Sequence, residues 1–141
     1  MLIEKLENYK IILGSASPRR KKILTDLGIK FSIQISKEEE NYPKNLNENE
    51  IAEFLAKQKA KSILKNLTTN YLLITVDTIV MQKNTILHKP TDEYDARRIL
   101  NTLSGKKHKV ISGVCITAID KEVVFSSTTE VYFNKLSKEE I

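Results

Sequence analysis

Between Tyr71 and Met81 the chain runs through eleven residues with one charged side chain, Asp77. Near-continuous apolarity rich in Leu, Ile and Val is the pattern of a strand buried inside a sheet rather than one with a wet face. Such a strand needs partners on its edges and helices over its faces, and the rest of the sequence supplies both. Lys10 to Gly14 is a short apolar strand, Phe31, Ile33 and Ile35 alternate as a second, and Thr85 to Leu87 follows a turn at Lys83-Asn84. Lys109 to Ala118 and Glu122 to Phe133 form a β-rich pair joined around Asp120-Lys121. Three helices are expected. Ser17 caps the first, with Pro18 at its first position, Ile23, Leu24 and Leu27 inward and Gly28 ending it. Asn47 and Glu50 form a capping box for the second, which runs to about Leu64 with Ile51, Phe54, Leu55 and Ile63 as apolar positions. Thr91 caps the third, with Ala96, Ile99, Leu100 and Leu103 inward and Gly105 closing it. The expectation is one α/β domain over residues 1–141.

Composition narrows the function. No apolar stretch approaches the roughly 20 residues of a membrane span, and residues 1–10 alternate charge with apolarity instead of forming a signal-peptide core. A cytoplasmic protein with no membrane partner is expected. The lone Cys115 sits in an apolar run and reads as core filler. The net charge of +5 suggests an anionic partner. Its lysines are dispersed and no aromatic strand motif is present, so a small anion ranks above RNA and no specific nucleic acid is expected.

Several residues sit where their placement costs free energy. The first helix opens Pro18-Arg19-Arg20-Lys21-Lys22, putting cations where the helix dipole favours anions. The third obeys the dipole, with Asp92, Glu93 and Asp95 early and Arg97 and Arg98 later. A phosphate held by the turn's N–H groups, the Ser15 and Ser17 hydroxyls and Arg19 or Arg20 resolves the first helix's conflict; a merely solvated basic end is the alternative. Asp77 must be paired, metal-bound or at an exposed strand end, because an unpaired buried carboxylate costs several kcal/mol. Lys59 falls on the inward face of its helix, in line with Ile51, Leu55 and Ile63, although its stem could snorkel to water. Lys89 is pinned in extended conformation by Pro90. Glu38, Glu39 and Glu40 are a solvated loop unless a metal lies nearby. With no Walker loop, zinc-spaced Cys/His set or serine elbow, the inventory suits phosphoryl chemistry with a divalent cation and an activated water.

Ile12-Leu13-Gly14-Ser15-Ala16-Ser17-Pro18-Arg19-Arg20 resembles the N-terminal signature of the Maf family. The resemblance continues through Leu55 to Ala60, Val76 to Val80, Leu87 to Pro90, Leu103 to Gly105 and Ser112 to Val114. It implies a long mixed sheet flanked by helices, two lobes with a cleft, and metal-dependent hydrolysis of nucleoside triphosphates to monophosphate and pyrophosphate. By motif it assigns catalysis to Asp77, Lys59, Lys89 and Glu40, and substrate binding to Ser15, Ser17, Arg19, Arg20 and Thr78. It assigns Mg²⁺ or Mn²⁺ to Glu40 and Asp77, with Glu39 as the register alternative. Arg19 and Thr78 resemble the branch acting on dTTP and UTP, while Val76 and His88 depart from the usual residues. The resemblance leaves room for a homodimer. It also implies a further C-terminal segment with a D-K-A-G-x-Y-x-x-Q-G motif that nothing here matches, as does the capping-box pattern Ser137 to Glu140, which announces a helix body beyond Ile141. A non-catalytic nucleotide-binding protein linked to cell division is the competing function.

Overall fold

The computed structural model describes residues 2–36, 41–67 and 70–141. In chain order the elements are α1 (Leu2–Leu6), β1 (Lys10–Leu13), α2 (Pro18–Asp26), β2 (Ser32–Ile33), α3 (Glu48–Leu64), β3 (Tyr71–Gln82), β4 (Thr85–Leu87), α4 (Glu93–Leu103), β5 (Lys107–Thr117) and β6 (Glu122–Tyr132). The expected α/β architecture is present. The strands form one mixed sheet in the order β2-β1-β3-β5-β6, with β4 also on β3. β1 is parallel to β2 and β3, and the β3–β4, β3–β5 and β5–β6 pairs are antiparallel. β3 is the central strand that the apolar run demands.

α3 covers one face of this sheet. Asn47 and Glu50 close a reciprocal capping box at its start. Its Ala56, Ala60 and Ile63 pack with Ile12, Leu73 and Cys115, and its Ile51, Ala52 and Leu55 with Ile79, Met81 and Ile111. The odd-numbered residues of β3 and β5 therefore supply the core. Two contacts set the closeness of the layers. A Cβ at Gly113 would overlap the Ala52 backbone, so β5 and α3 approach through a missing side chain. Thr75, fully buried, donates its hydroxyl proton to the Ala56 carbonyl at 2.8 Å. Cys115 is buried, as expected of filler, and burial pushes its thiol pKa up.

Four local expectations need correction. α4 is capped by Asp92, not Thr91: the Asp92 carboxylate accepts from Asp95 N–H at 2.7 Å, and Thr91 N–H instead donates to the Asp95 carboxylate. Two aspartates three residues apart outcompete the threonine. The second strand is only Ser32–Ile33, paired with Ile12 and Leu13 at the end of β1. α2 forms with the expected Ser17 cap, Pro18 and left-handed Gly28, but Ile23 and Leu27 are 58% and 56% exposed and no residue of α2 is buried. Phe54 on α3 is likewise exposed. The short α1 has no counterpart in the periodicity. At the other end the Ser137–Glu140 box closes reciprocally, each side chain accepting the other's N–H at 3.2 Å. Among the described residues no helix is long and apolar enough to cross a membrane.

Candidate active site

The functional geometry arises from a gap in the sheet. β1 ends beside Ile74, with Gly14 N–H donating to the Ile74 carbonyl at 2.8 Å, and β4 pairs β3 only from Val80 onward. β5 occupies the other edge of β3 throughout. Residues 75–79 of β3 therefore have one unpaired edge. By strand alternation the peptide groups of Val76 and Thr78 point into the gap, along with that of Ile74. Buried carbonyls demand donors. The Val76 carbonyl receives two, from Arg20 Nη1 at 3.1 Å and Lys59 Nζ at 3.3 Å.

Asp77 lies in the middle of β3, on the face under α3, and is only 3% exposed. Its Oδ1 pairs with Lys59 Nζ at 2.7 Å, which answers the demand for a partner and shows Lys59 reaching inward from α3. Its Oδ2 is buried and has no hydrogen-bond partner among the described residues. Such an oxygen is costly unless something else occupies it.

Arg20 reaches the same gap from the first turn of α2. Its Nη1 donates to Ser15 Oγ at 3.0 Å and to the Val76 carbonyl, and its Nη2 donates to Thr78 Oγ1 at 3.0 Å. Burial pushes the guanidinium pKa below its ordinary value, with the Asp77 carboxylate opposing that shift. Ser17 Oγ accepts from Arg20 N–H at 3.4 Å as the cap, and Ser15 Oγ accepts from Ser17 N–H at 3.2 Å. The tandem arginines thus divide: Arg20 is anchored in the gap, while Arg19 is exposed at the helix start.

These groups open onto a cleft of about 750 Å³. Arg20, Lys59, Asp77, Thr78 and Lys89 form its polar part, and Tyr42, Leu55, Ile86, Leu87 and Ile99 are among its apolar lining. Of the residues assigned from sequence, the structure gathers Ser15, Arg20, Lys59, Asp77, Thr78 and Lys89 around the gap and cleft, with Lys89 exposed and making no ion pair among the described residues. Glu40 and its alternative Glu39 lie outside the described residues. Among the described residues no cluster of three or more His, Cys, Asp or Glu side chains forms a ready-made metal site. Sequence reasoning missed the Val76 carbonyl, Tyr42 and Ser112, whose hydroxyl lies 3.0 Å from Thr78 Oγ1. The resemblance runs through Val76 and Ser112 without giving either a role, and Tyr42 carries no local signal, since each depends on strand register or a loop's return.

Residues 10–141 match the family described as Maf-like protein. A dTTP/UTP pyrophosphatase of Phocaeicola vulgatus is 46% identical over 141 residues, spanning 99% of this chain and 73% of that protein. A dTTP/UTP pyrophosphatase of Christiangramia forsetii is 41% identical, spanning all of this chain and 72% of that one. Among solved structures, the Staphylococcus aureus Ham1 protein superposes with a TM-score of 0.55 at 14% identity, over 87% of this chain and 71% of its own. That likeness is one of fold.

Proposed function

Because this chain belongs to the Maf family, we propose that it hydrolyses nucleoside triphosphates, dTTP and UTP foremost, to the monophosphate and pyrophosphate. The observation that carries the reading is Asp77: a buried carboxylate with one oxygen held by Lys59 and the other without a partner among the described residues, beside a strand edge where two cations converge. A structural aspartate closing a turn has no use for that arrangement.

Arg20 and Lys59, fixed on the Val76 carbonyl, place positive charge at the gap, Lys89 adds charge on the cleft wall, and Arg19 is exposed at the start of α2. Together they neutralise a triphosphate and the pyrophosphate that leaves it. Water adds at the α-phosphorus, the bond to the bridging oxygen of the β-phosphate breaks, and Asp77 Oδ2 accepts the water's proton. Lys59 holds Oδ1 so that the carboxylate cannot rotate away. No side chain is acylated or phosphorylated. The orphaned Oδ2 also fits a hard divalent cation such as Mg²⁺ or Mn²⁺, which Asp77 and Glu40 would hold and which would supply charge neutralisation at the phosphate oxygens. The apolar lining takes the nucleoside.

The test is product analysis after incubation with dTTP, UTP, CTP and 7-methyl-GTP and either Mg²⁺ or Mn²⁺, scoring monophosphate and pyrophosphate separately from inorganic phosphate. Pyrophosphate from dTTP or UTP is expected. Asp77→Asn should then cut turnover about 10²–10⁴-fold, as for loss of a general base, while nucleotide binding survives. Tight triphosphate binding without product under either metal overturns the enzymatic reading.

A further inference from the structure

Thr78 and Ser112 face each other directly across β3 and β5, with hydroxyls 3.0 Å apart on the side of the sheet away from α3. Arg20 Nη2 approaches the same Thr78 oxygen at 3.0 Å from the open edge. The three groups form a line from α2 through β3 into β5.

A guanidinium can only donate, so one lone pair of Thr78 Oγ1 is committed to Arg20. The Thr78 side chain is exposed, and in a strand its hydroxyl and methyl can exchange places by rotation about χ1. Only the rotamer whose oxygen lies between Arg20 and Ser112 meets both groups. Ser112 is the neighbouring side chain that favours that rotamer, by accepting the Thr78 proton or donating its own. We propose that Ser112 is a positioning residue: it fixes the Thr78 hydroxyl and, through it, the orientation of the Arg20 guanidinium at the mouth of the cleft. Ser15, the Val76 carbonyl and Thr78 form a three-point mount for Arg20, and Ser112 holds the exposed point of the three. Its role in turnover rests on the pyrophosphatase reading; its role in holding Arg20 does not.

Two measurements test it. In steady-state hydrolysis of dTTP or UTP, Ser112→Ala should raise KM about 3- to 10-fold, the value of one hydrogen bond, with kcat within about twofold. Ser112→Thr, which keeps the hydroxyl on a strand-compatible side chain, should restore KM. Ser127→Ala is the control: Ser127 is the β6 residue opposite Ser112 and should leave KM unchanged. Unchanged KM in Ser112→Ala, or failure of Ser112→Thr to restore it, overturns the proposal in favour of ordinary packing. The second measurement needs no nucleotide. Side-chain NMR of Arg20 should show separate, slowly exchanging guanidinium N–H signals in the native chain and in Ser112→Thr, but averaged signals in Ser112→Ala and Thr78→Val. Slow exchange persisting in Ser112→Ala overturns the proposal even if the native chain turns over no triphosphate, an outcome that by itself counts against the hydrolase reading alone.

Discussion

The two faces of β3 behave differently, and the candidate site draws on both. On the side under α3 the residues Leu73, Thr75, Asp77, Ile79 and Met81 are all buried. On the other side Leu72, Ile74, Val76 and Val80 are half-buried and Thr78 is exposed. That second face continues across β5 and β6 as Val114 and Ile116 beside Phe125 and Val123, the last two 45% and 55% exposed. The covered face gives a low-dielectric wall in which Asp77 and Lys59 must pair. The open face gives the exposed Thr78 hydroxyl, one of the three groups that hold Arg20. Successive residues, Asp77 and Thr78, send one side chain to each face, so a single dipeptide at the unpaired edge links a buried carboxylate to the half-buried guanidinium of Arg20.

Overfilling the covered face should produce the largest effect. Gly113→Ala puts a methyl group into the Ala52 backbone, where no side-chain rotation can relieve it. A loss of at least about 3 kcal/mol, the upper end for overpacking, is expected in denaturant unfolding. A loss below about 1 kcal/mol would mean that α3 lifts easily, and the covered face would not be the rigid one.

Next in size is Lys59→Met, which strands the Asp77 carboxylate. Breaking a fully buried pair costs about 3–5 kcal/mol, but the Lys59 side chain is 29% exposed, so about 2 kcal/mol is the expected loss. Adding Asp77→Asn should recover most of it, since the double variant buries no lone charge. Without that recovery, Lys59 would owe its contribution to its stem rather than to its charge.

How far the sequence reveals this division is instructive. The α3 side was readable, because Ile51, Leu55 and Ile63 repeat at helical spacing and a run such as Leu72–Met81 has to lie inside a sheet. The tension at Asp77 was readable for the same reason: one charge in an apolar run must find a partner, and Lys59 stood on the inward face. Ile23 and Leu27 show where periodicity stops. They have helical spacing, yet no buried surface meets them in the fold, and periodicity cannot report what packs against a face. The gap at residues 75–79 was hidden altogether, since it depends on where β1 and β4 end. So was the pairing of Thr78 with Ser112, which is a fact of register.

A smaller, pH-dependent effect belongs to the one buried ionisable group on the open side of β5. His108 lies under Phe133, ring centroids 5.0 Å apart at 84°, with its Nδ1 lacking a hydrogen-bond partner among the described residues. Burial lowers its pKa from the ordinary 6.5. The unfolded chain then binds the proton more readily than the folded one, so stability should fall as pH drops below about 6.5 and level off once the folded form also titrates. His108→Phe, which keeps the edge contact, should flatten that slope in thermal melts between pH 7 and 5. An unchanged slope would place the acid sensitivity in the carboxylates instead.

The smallest expected effect is the sharpest test of the contrast, because it concerns a residue whose bulk suggests importance. Phe125 is aromatic, central in β6 and directly opposite Val114, and on the α3 side such a residue replaced by threonine would cost several kcal/mol. Here it is 45% exposed, so much of its apolar surface already meets water, and threonine, being β-branched, is a favourable strand residue. Phe125→Thr should therefore change unfolding free energy by no more than about 0.5–1 kcal/mol and leave the cleft untouched. Val124→Thr, one residue along and packed against the Ile12–Cys115 cluster, should cost more despite removing less volume. If Phe125→Thr instead proved the more damaging, the ring would have to be covered in solution, and the asymmetry between the faces would belong to the isolated fold rather than to the working protein.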